Sequence, residues 1–336
     1  MVGRDRYRIV TFRMRGPHRA LAAGGVALLL LTGACAPAAR ATAEGRPSAW
    51  SRSDVAVRTV ASVAYEDLRA DMLDAKSIAA HTPRSEDRSF RSAALGRTMP
   101  YQVYLPPGYA GSERRYPVLY MLHGMGGSYE EWRALGLFEA ADRMIRTGEL
   151  EPLVIVLPQG DRGYWVDHAG GGEAWGTYTA RDLVAEIDGR FRTIAERSRR
   201  AIGGLSMGAH GALQLALNNP DTFGIVGAHS LVLRRFGSAP AYFGGPAEYA
   251  KRDPMTMVRS KSDVARSVSL WIDIGDRDPW APLAKQFDGE LEQLRIPRQM
   301  RVAAGDHSAA YWQRNLADYL RYYDRSLAPA RESVLR

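Results

Sequence analysis

Ser206 stands in Gly204-Leu205-Ser206-Met207-Gly208, with a glycine two positions before it and another two after. A serine hydroxyl is a weak nucleophile near neutral pH, so it needs a base to take its proton and a backbone that presents it. The run before it, Arg199-Arg200-Ala201-Ile202-Gly203, reads as a short buried strand. The run after it, His210 to Asn219, is rich in alanine and leucine and stops at Pro220, as a helix would. A strand, a sharp turn and a helix, with glycines allowing close approach, is the geometry that lifts a nucleophilic hydroxyl over a sheet edge.

Three histidines follow Ser206: His210, His229 and His307. His210 falls one turn into the helix after the serine and points along it, while His229 closes a strand-like run and reads as a structural or rim residue. His307 follows a strand and a Gly305-Asp306 turn and precedes a helix. That places it on a loop at the carboxyl edge of the sheet, where a base has to be. The acid that orients this base belongs on the loop after Trp271-Ile272-Asp273-Ile274-Gly275. Asp276 and Asp278 both stand there. Asp278, followed by Pro279 and Trp280, is chosen because the chain has cleared the sheet by that point; one of the two aspartates is expected to cap the helix near Pro279. The order serine, acid, histidine is that of α/β-hydrolases.

An acyl-transfer intermediate also needs donors for its oxyanion. The N–H of Met207, at the start of a helix, is one candidate. The glycine-rich His123-Gly124-Met125-Gly126-Gly127 loop offers the other, assigned to Met125, with His123 read as a brace for the loop. Tyr164, Trp165, Trp175 and Tyr178 cluster between a strand and a helix. Trp165, Trp175 and Tyr178, together with Trp280, are candidates for stacking on a sugar or aryl acyl group, with simple loop packing as the equal alternative. Arg234 and Arg235 are candidates for holding an acidic substrate group, with solvated surface the commoner fate of such a pair. No His, Asp or Glu cluster has metal-ligand spacing, and neither a metal nor any other cofactor is expected.

The elements that must position these groups alternate along the chain. Arg88 to Leu95 and Met99 to Leu105 read as an antiparallel entry hairpin. Tyr116 to Leu122 and Leu153 to Leu157 are nearly continuous apolar runs, as in strands covered on both faces. Further strands are expected at Phe223 to His229, Val268 to Ile274 and Gln299 to Ala304. Helices are expected at Glu130 to Arg146, Asp182 to Thr193, Ala281 to Leu294 and Ala309 to Leu327. The pattern predicts an α/β fold: a mainly parallel sheet with helices on both faces.

The catalytic domain is expected over 88–328, followed by a tail at 329–336. Upstream, six arginines against one aspartate precede the apolar run Ala20 to Leu31, the signature of an export signal over 1–34. The single cysteine, Cys35, follows Leu31-Thr32-Gly33-Ala34 in the manner of a lipobox and is the expected lipidation site. Thr32 stands where that motif has a large aliphatic residue, and cleavage after Ala39-Arg40-Ala41 is the rival reading. Residues 35–52 read as a flexible tether and 53–87 as a helical extension. The early arginines account for most of the net charge of +8, and the rest are interspersed with acids. Nucleic-acid binding is therefore not expected. The membrane is expected to be met only through the N-terminal anchor, and the protein to be extracytoplasmic.

Taken together, Tyr120-Met121-Leu122-His123-Gly124, Gly203 to Gly208 and Gly305-Asp306-His307-Ser308 resemble the α/β-hydrolase family called putative esterases. It includes esterase D (S-formylglutathione hydrolase), feruloyl and acetyl xylan esterases, siderophore esterases and mycolyltransferases. The similarity covers roughly 89–327, with Tyr104 to Tyr109 resembling the family's entry strand and Asn219 to Phe223 its turn after the serine helix. Ala209 departs from it, standing where a second glycine is usual. The resemblance implies a Ser206, His307 and Asp278 triad with oxyanion donors at Met125 and Met207. It implies a serine carboxylic-ester hydrolase, and with the N-terminal export signal the expected substrate is a small-molecule, polysaccharide or lipid ester outside the cytoplasm. Acyl transfer to a sugar or lipid hydroxyl is the alternative within enzymes, and a non-catalytic surface binding protein the alternative outside them.

Overall fold

The computed structural model describes residues 82–328. The export signal, Cys35, the tether, most of the helical extension and the tail lie outside the described residues.

Eight strands form one sheet in the order β1-β2-β4-β3-β5-β6-β7-β8. They are β1 Ser85–Arg91, β2 Thr98–Tyr104, β3 Val118–Leu122, β4 Val154–Pro158, β5 Arg200–Leu205, β6 Ile225–His229, β7 Ser269–Gly275 and β8 Gln299–Ala303. β1 pairs antiparallel with β2 and β2 with β4, and every other pairing is parallel. The main helices are α1 Glu131–Ala134, α2 Leu137–Arg146, α3 Val184–Arg190, α4 Met207–Asn218, α5 Pro246–Ala250, α6 Pro254–Ser260, α7 Ser262–Arg266, α8 Ala281–Gln293 and α9 Ala309–Leu327, with a helical turn at Trp175–Thr177 and a wider-wound segment at Tyr178–Leu183 leading into α3. This is the fold that the alternation predicts.

The central strands are apolar throughout because both faces are covered. On one face, Val118, Tyr120 and Leu122 of β3 pack with Ile187 of α3, Ala212 and Leu215 of α4, and Phe287 and Leu291 of α8. On the other, Leu119 and Met121 pack with Phe138 and Met144 of α2 and with Leu316, Tyr319 and Leu320 of α9. Period-two alternation along β3 therefore feeds two separate cores.

Several elements are trimmed by a few residues relative to expectation, and two differences go further. β1 begins at Ser85, so 85–87, assigned to the helical extension, are strand. The polar run Ser85-Glu86-Asp87-Arg88 hides this, because an edge strand with one neighbour needs little apolar surface. Its place is fixed by backbone pairing with β2 and by the Gln102 side-chain amide, which donates to Asp87 at 2.7 Å. The helix expected over Glu130 to Arg146 is broken at Gly136, whose φ of 90° ends α1 and turns the chain into α2.

Candidate active site

Strand β5 delivers Ser206 directly into α4. Ser206 has φ 58° and ψ −115°, a conformation that side-chain-bearing residues rarely adopt, and its N–H is held by the His229 carbonyl at 2.9 Å. The flanking glycines are needed for space. A Cβ at Gly204 would lie 2.5 Å from the Gly208 carbonyl carbon, and one at Gly208 would lie 2.3 Å from the Leu122 oxygen. A strained serine held this firmly by its surroundings is where function concentrates.

The three side chains singled out from the sequence meet at the carboxyl edge of the sheet. The Ser206 hydroxyl lies 2.9 Å from Nε2 of His307, and Nδ1 of His307 lies 2.7 Å from Oδ2 of Asp278. The carboxylate of Asp278 is buried while the imidazole is 22% exposed, so the ring reaches both the hydroxyl and the solvent. With Nδ1–H donating to the carboxylate, Nε2 is left as the acceptor that a general base requires. Trp312 of α9 sets its ring edge-on to His307, with centroids 5.3 Å apart, and is anchored by its Nε1–H on the Ser230 hydroxyl at 2.9 Å.

Asp278 has a second task. Its Oδ1 accepts the Trp280 N–H at 2.9 Å, closing a turn just ahead of α8. The cap position of that helix is Trp280 itself and takes no side-chain hydrogen bond, so the capping role expected of one of the two aspartates is filled by neither. Asp276 instead accepts the Gly305 N–H at 2.8 Å, tying the loop after β7 to the loop that carries His307; this bond holds its carboxyl below the usual range.

The His123 to Gly127 loop lies against the serine: a Cβ on Gly124 would come within 3.5 Å of Ser206 Cβ. Gly127 N–H closes a turn on the Gly124 carbonyl at 3.1 Å, with Gly126 at φ 81°. Met125 N–H has no acceptor among the described residues and its side chain is 42% exposed, whereas Met207 is buried. His123 is the brace that the sequence suggests: Gly160 N–H donates to its Nε2 at 2.9 Å, which leaves Nδ1–H for the Gly124 carbonyl at 2.8 Å. Burial pushes its pKa down.

Glu131 is a member of this site that sequence reasoning missed. Its carboxylate accepts the Gly124 N–H at 2.7 Å and fills the space beside Gly127, where a Cβ would collide with it at 2.8 Å. Burial raises its pKa, and the Gly124 bond opposes that shift. Nothing in the pattern Glu130-Glu131-Trp132 separates it from an ordinary first-turn acid.

The expected aromatic platform is a correction. Trp165, Trp175 and Tyr178 are wholly buried, as is Tyr164. Trp165 wedges between the loop after β4 and α4, where a Cβ on Gly160 or Gly211 would strike its ring at 2.3 or 2.6 Å, and its Nε1–H meets the His123 carbonyl. Tyr178 stacks on Phe90 and Trp175 packs edge-on to Tyr178. These rings build the floor under the loop and have no face free for a ligand. Trp280 alone of the four is half-buried at the rim. His210 and His229 are both fully enclosed, away from Ser206 Oγ. Among the described residues no group of His, Cys, Asp and Glu could hold a metal ion, and no helix is long and apolar enough to cross a membrane.

Residues 92–323 match the family model described as "Putative esterase". The chain belongs to that family. Within it, an esterase of Mycobacterium tuberculosis is 35% identical over 152 residues, 44% of this chain and 32% of that protein. The chain thus spans about a third of the length of the first curated relatives it matches. The S-formylglutathione hydrolase of Arabidopsis thaliana is 24% identical over 70% of this chain and 91% of its own length. Among solved structures, a ferulic acid esterase is 26% identical and aligns with a TM-score of 0.66 over 73% of this putative-esterase chain and 100% of its own.

Proposed function

We propose that this chain hydrolyses carboxylic esters through an acyl-Ser206 intermediate. The observation that carries this reading is the unbroken relay from Ser206 through His307 to Asp278, ending on a serine held at positive φ. His307 Nε2 takes the Oγ proton as Oγ attacks the ester carbonyl, and Asp278 steadies the imidazolium. The N–H groups of Met125 and Met207 donate to the oxyanion. His307 then returns the proton to the leaving alkoxide. Water, deprotonated by the same nitrogen, releases the acid and restores the hydroxyl.

The relatives' names span a ferulic ester, an acetyl ester and a formyl thioester, so what they share is an acyl group rather than one alcohol. Labelling with a fluorophosphonate, lost in Ser206→Ala, tests the nucleophile; a well-folded protein that takes no label would point instead to a non-catalytic surface binding protein. Product analysis with an ester plus a sugar or lipid alcohol distinguishes hydrolysis from acyl transfer. The arginine-rich start, the Ala20 to Leu31 run and Cys35 support action outside the cytoplasm from a lipid anchor. Palmitate incorporation that Cys35→Ala abolishes is the test.

A further inference from the structure

Arg234 stands five residues past the end of β6, on the edge of the sheet that carries Ser206, Asp278 and His307. Its Nε–H donates to the Tyr164 hydroxyl at 2.6 Å, and its guanidinium lies over the Trp280 ring, 4.6 Å from the centroid. Trp280 is the residue whose N–H is held by Asp278, and Tyr164 precedes Trp165, which braces the His123 loop. The guanidinium therefore bridges the two loops on either side of the serine, clamped in orientation by a hydrogen bond and a stacked ring.

What it lacks is a counter-charge. Three enclosed arginines elsewhere hold a carboxylate: Arg200 on Asp188 at 2.6 Å, Arg252 on Glu248 at 2.8 Å and Arg298 on Asp288 at 2.7 Å. The half-buried Arg192 and Arg197 give their Nη groups to backbone carbonyls instead. Arg234 is half-buried, yet among the described residues no carboxylate reaches it, and both Nη groups are open to solvent without an acceptor. The one acid in the same cleft, Asp253, is buried, and its Oδ2 is taken by the Thr256 N–H and hydroxyl at 2.9 and 2.7 Å. A planar fork fixed along one edge, with the opposite edge free, matches the two oxygens of a carboxylate.

Resting on the esterase reading above, we propose that Arg234 is a specificity residue. It receives a carboxylate carried by the part of the substrate that does not react, so the preferred esters are anionic. The carboxylate can belong to the acyl group, as in a half-ester of a dicarboxylic acid, or to the alcohol, as in an acylated hydroxy acid. Substrate pairs differing only in charge separate the two sources. For the acyl side these are monomethyl adipate and the methyl ester of adipic acid monoamide; for the alcohol side, 4-acetoxybenzoate and 4-acetoxybenzamide.

In the full-length enzyme, kcat/KM is expected to favour the anionic member of one pair by about tenfold, the order of a charge-assisted hydrogen bond at a partly exposed site. Arg234→Gln brings that ratio to about one, Arg234→Lys retains part of it, and Lys285→Gln, which removes an exposed cation of α8, leaves it in place. Raising the salt concentration lowers the wild-type ratio without any substitution. A wild-type ratio at or below one in both pairs overturns the proposal. So does a preference that Arg234→Gln leaves unchanged, including the case in which both members slow equally because Trp280 or Tyr164 has shifted. Turnover of the neutral esters that persists in Ser206→Ala would instead sink the esterase reading itself, so the two failures are distinguishable.

Discussion

The Glu131 carboxylate holds the Gly124 amide at 2.7 Å, so the helix after the glycine loop reaches back and fastens the loop beside Ser206. Met125, the next residue, carries an N–H without an acceptor. Its direction depends on how firmly the Gly124 to Gly127 turn is held. Removing an oxyanion donor costs about 100-fold in kcat. Glu131→Ala, which loosens that donor without deleting it, is expected to lower kcat by about ten- to a hundredfold while KM changes little. Glu131→Gln keeps an acceptor oxygen and recovers most of the loss. Equal losses in kcat for both variants would mean that the charge, rather than the bond to Gly124, matters.

Asp276 and Asp278 stand two residues apart and do different work, which steady-state kinetics can separate. Asp278→Asn preserves an oxygen for the Trp280 N–H but can turn an amide N–H toward His307, favouring the wrong imidazole tautomer. A loss of about 10,000-fold in kcat is expected, as for the corresponding change in other serine triads. Asp276→Asn weakens only the tie to Gly305, and less than a tenfold loss is expected. Comparable losses would show that the loop tie and the relay cannot be divided in this way.

The relay was legible in the sequence because its members sit at chain positions with strong local signals: glycines around Ser206, and loops after strands for Asp278 and His307. The strands were legible because β3, β4 and β5 are apolar on both faces. What stayed hidden depends on register or on side chains turning back. β6 pairs with β7 so that His229 stands opposite Asp273, and no local pattern announces that neighbour. Asp273, still in its strand, accepts from His229 Nδ1 at 2.7 Å, Trp271 Nε1 at 3.1 Å and the hydroxyls of Tyr311 and Tyr319 at 2.9 and 3.0 Å. The aromatic residues around Trp165 were misread for a related reason. They lie in a connection between elements, where rings are expected at a rim, but here the connection folds under itself and Trp165 enters the core against α4.

The same polar core gives a prediction about packing. With Nδ1–H committed to Asp273, His229 Nε2 accepts the Tyr323 hydroxyl at 2.8 Å. That hydroxyl occupies the space over two strand glycines: a Cβ on Gly203 or Gly227 would sit 1.8 or 1.9 Å from it. Gly203→Ala is expected to destabilise by about 1–3 kcal/mol through overpacking. Tyr323→Phe is expected to cost a similar ~1–3 kcal/mol by leaving the buried imidazole nitrogen unpaired. Because the hydroxyl is the atom in the way, the double variant should cost clearly less than the sum of the singles. Urea midpoints that add strictly would contradict this packing.

Stability should also fall on mild acidification, and two buried histidines say in which range. Burial pushes the pKa of both His123 and His210 down, so the folded chain keeps them neutral at pH values where the unfolded chain has begun to protonate them. His210 is enclosed in α4, its Nε2–H donating to the Arg252 carbonyl at 2.8 Å. In His123, a proton on Nε2 would displace the Gly160 N–H that now donates to that atom. The unfolded imidazole titrates near about 6.5. Above that pH neither residue makes stability pH-dependent. As pH falls below it, the unfolded state binds protons that the native state refuses, and stability drops by up to about 1.4 kcal/mol per pH unit for each histidine until the folded pKa is reached. Urea unfolding between pH 7.5 and 5 should show this slope, and His210→Gln should make it shallower without abolishing it, because His123 and His168 are held down by burial as well. An unchanged slope in that variant would mean that His210 is as readily protonated folded as unfolded.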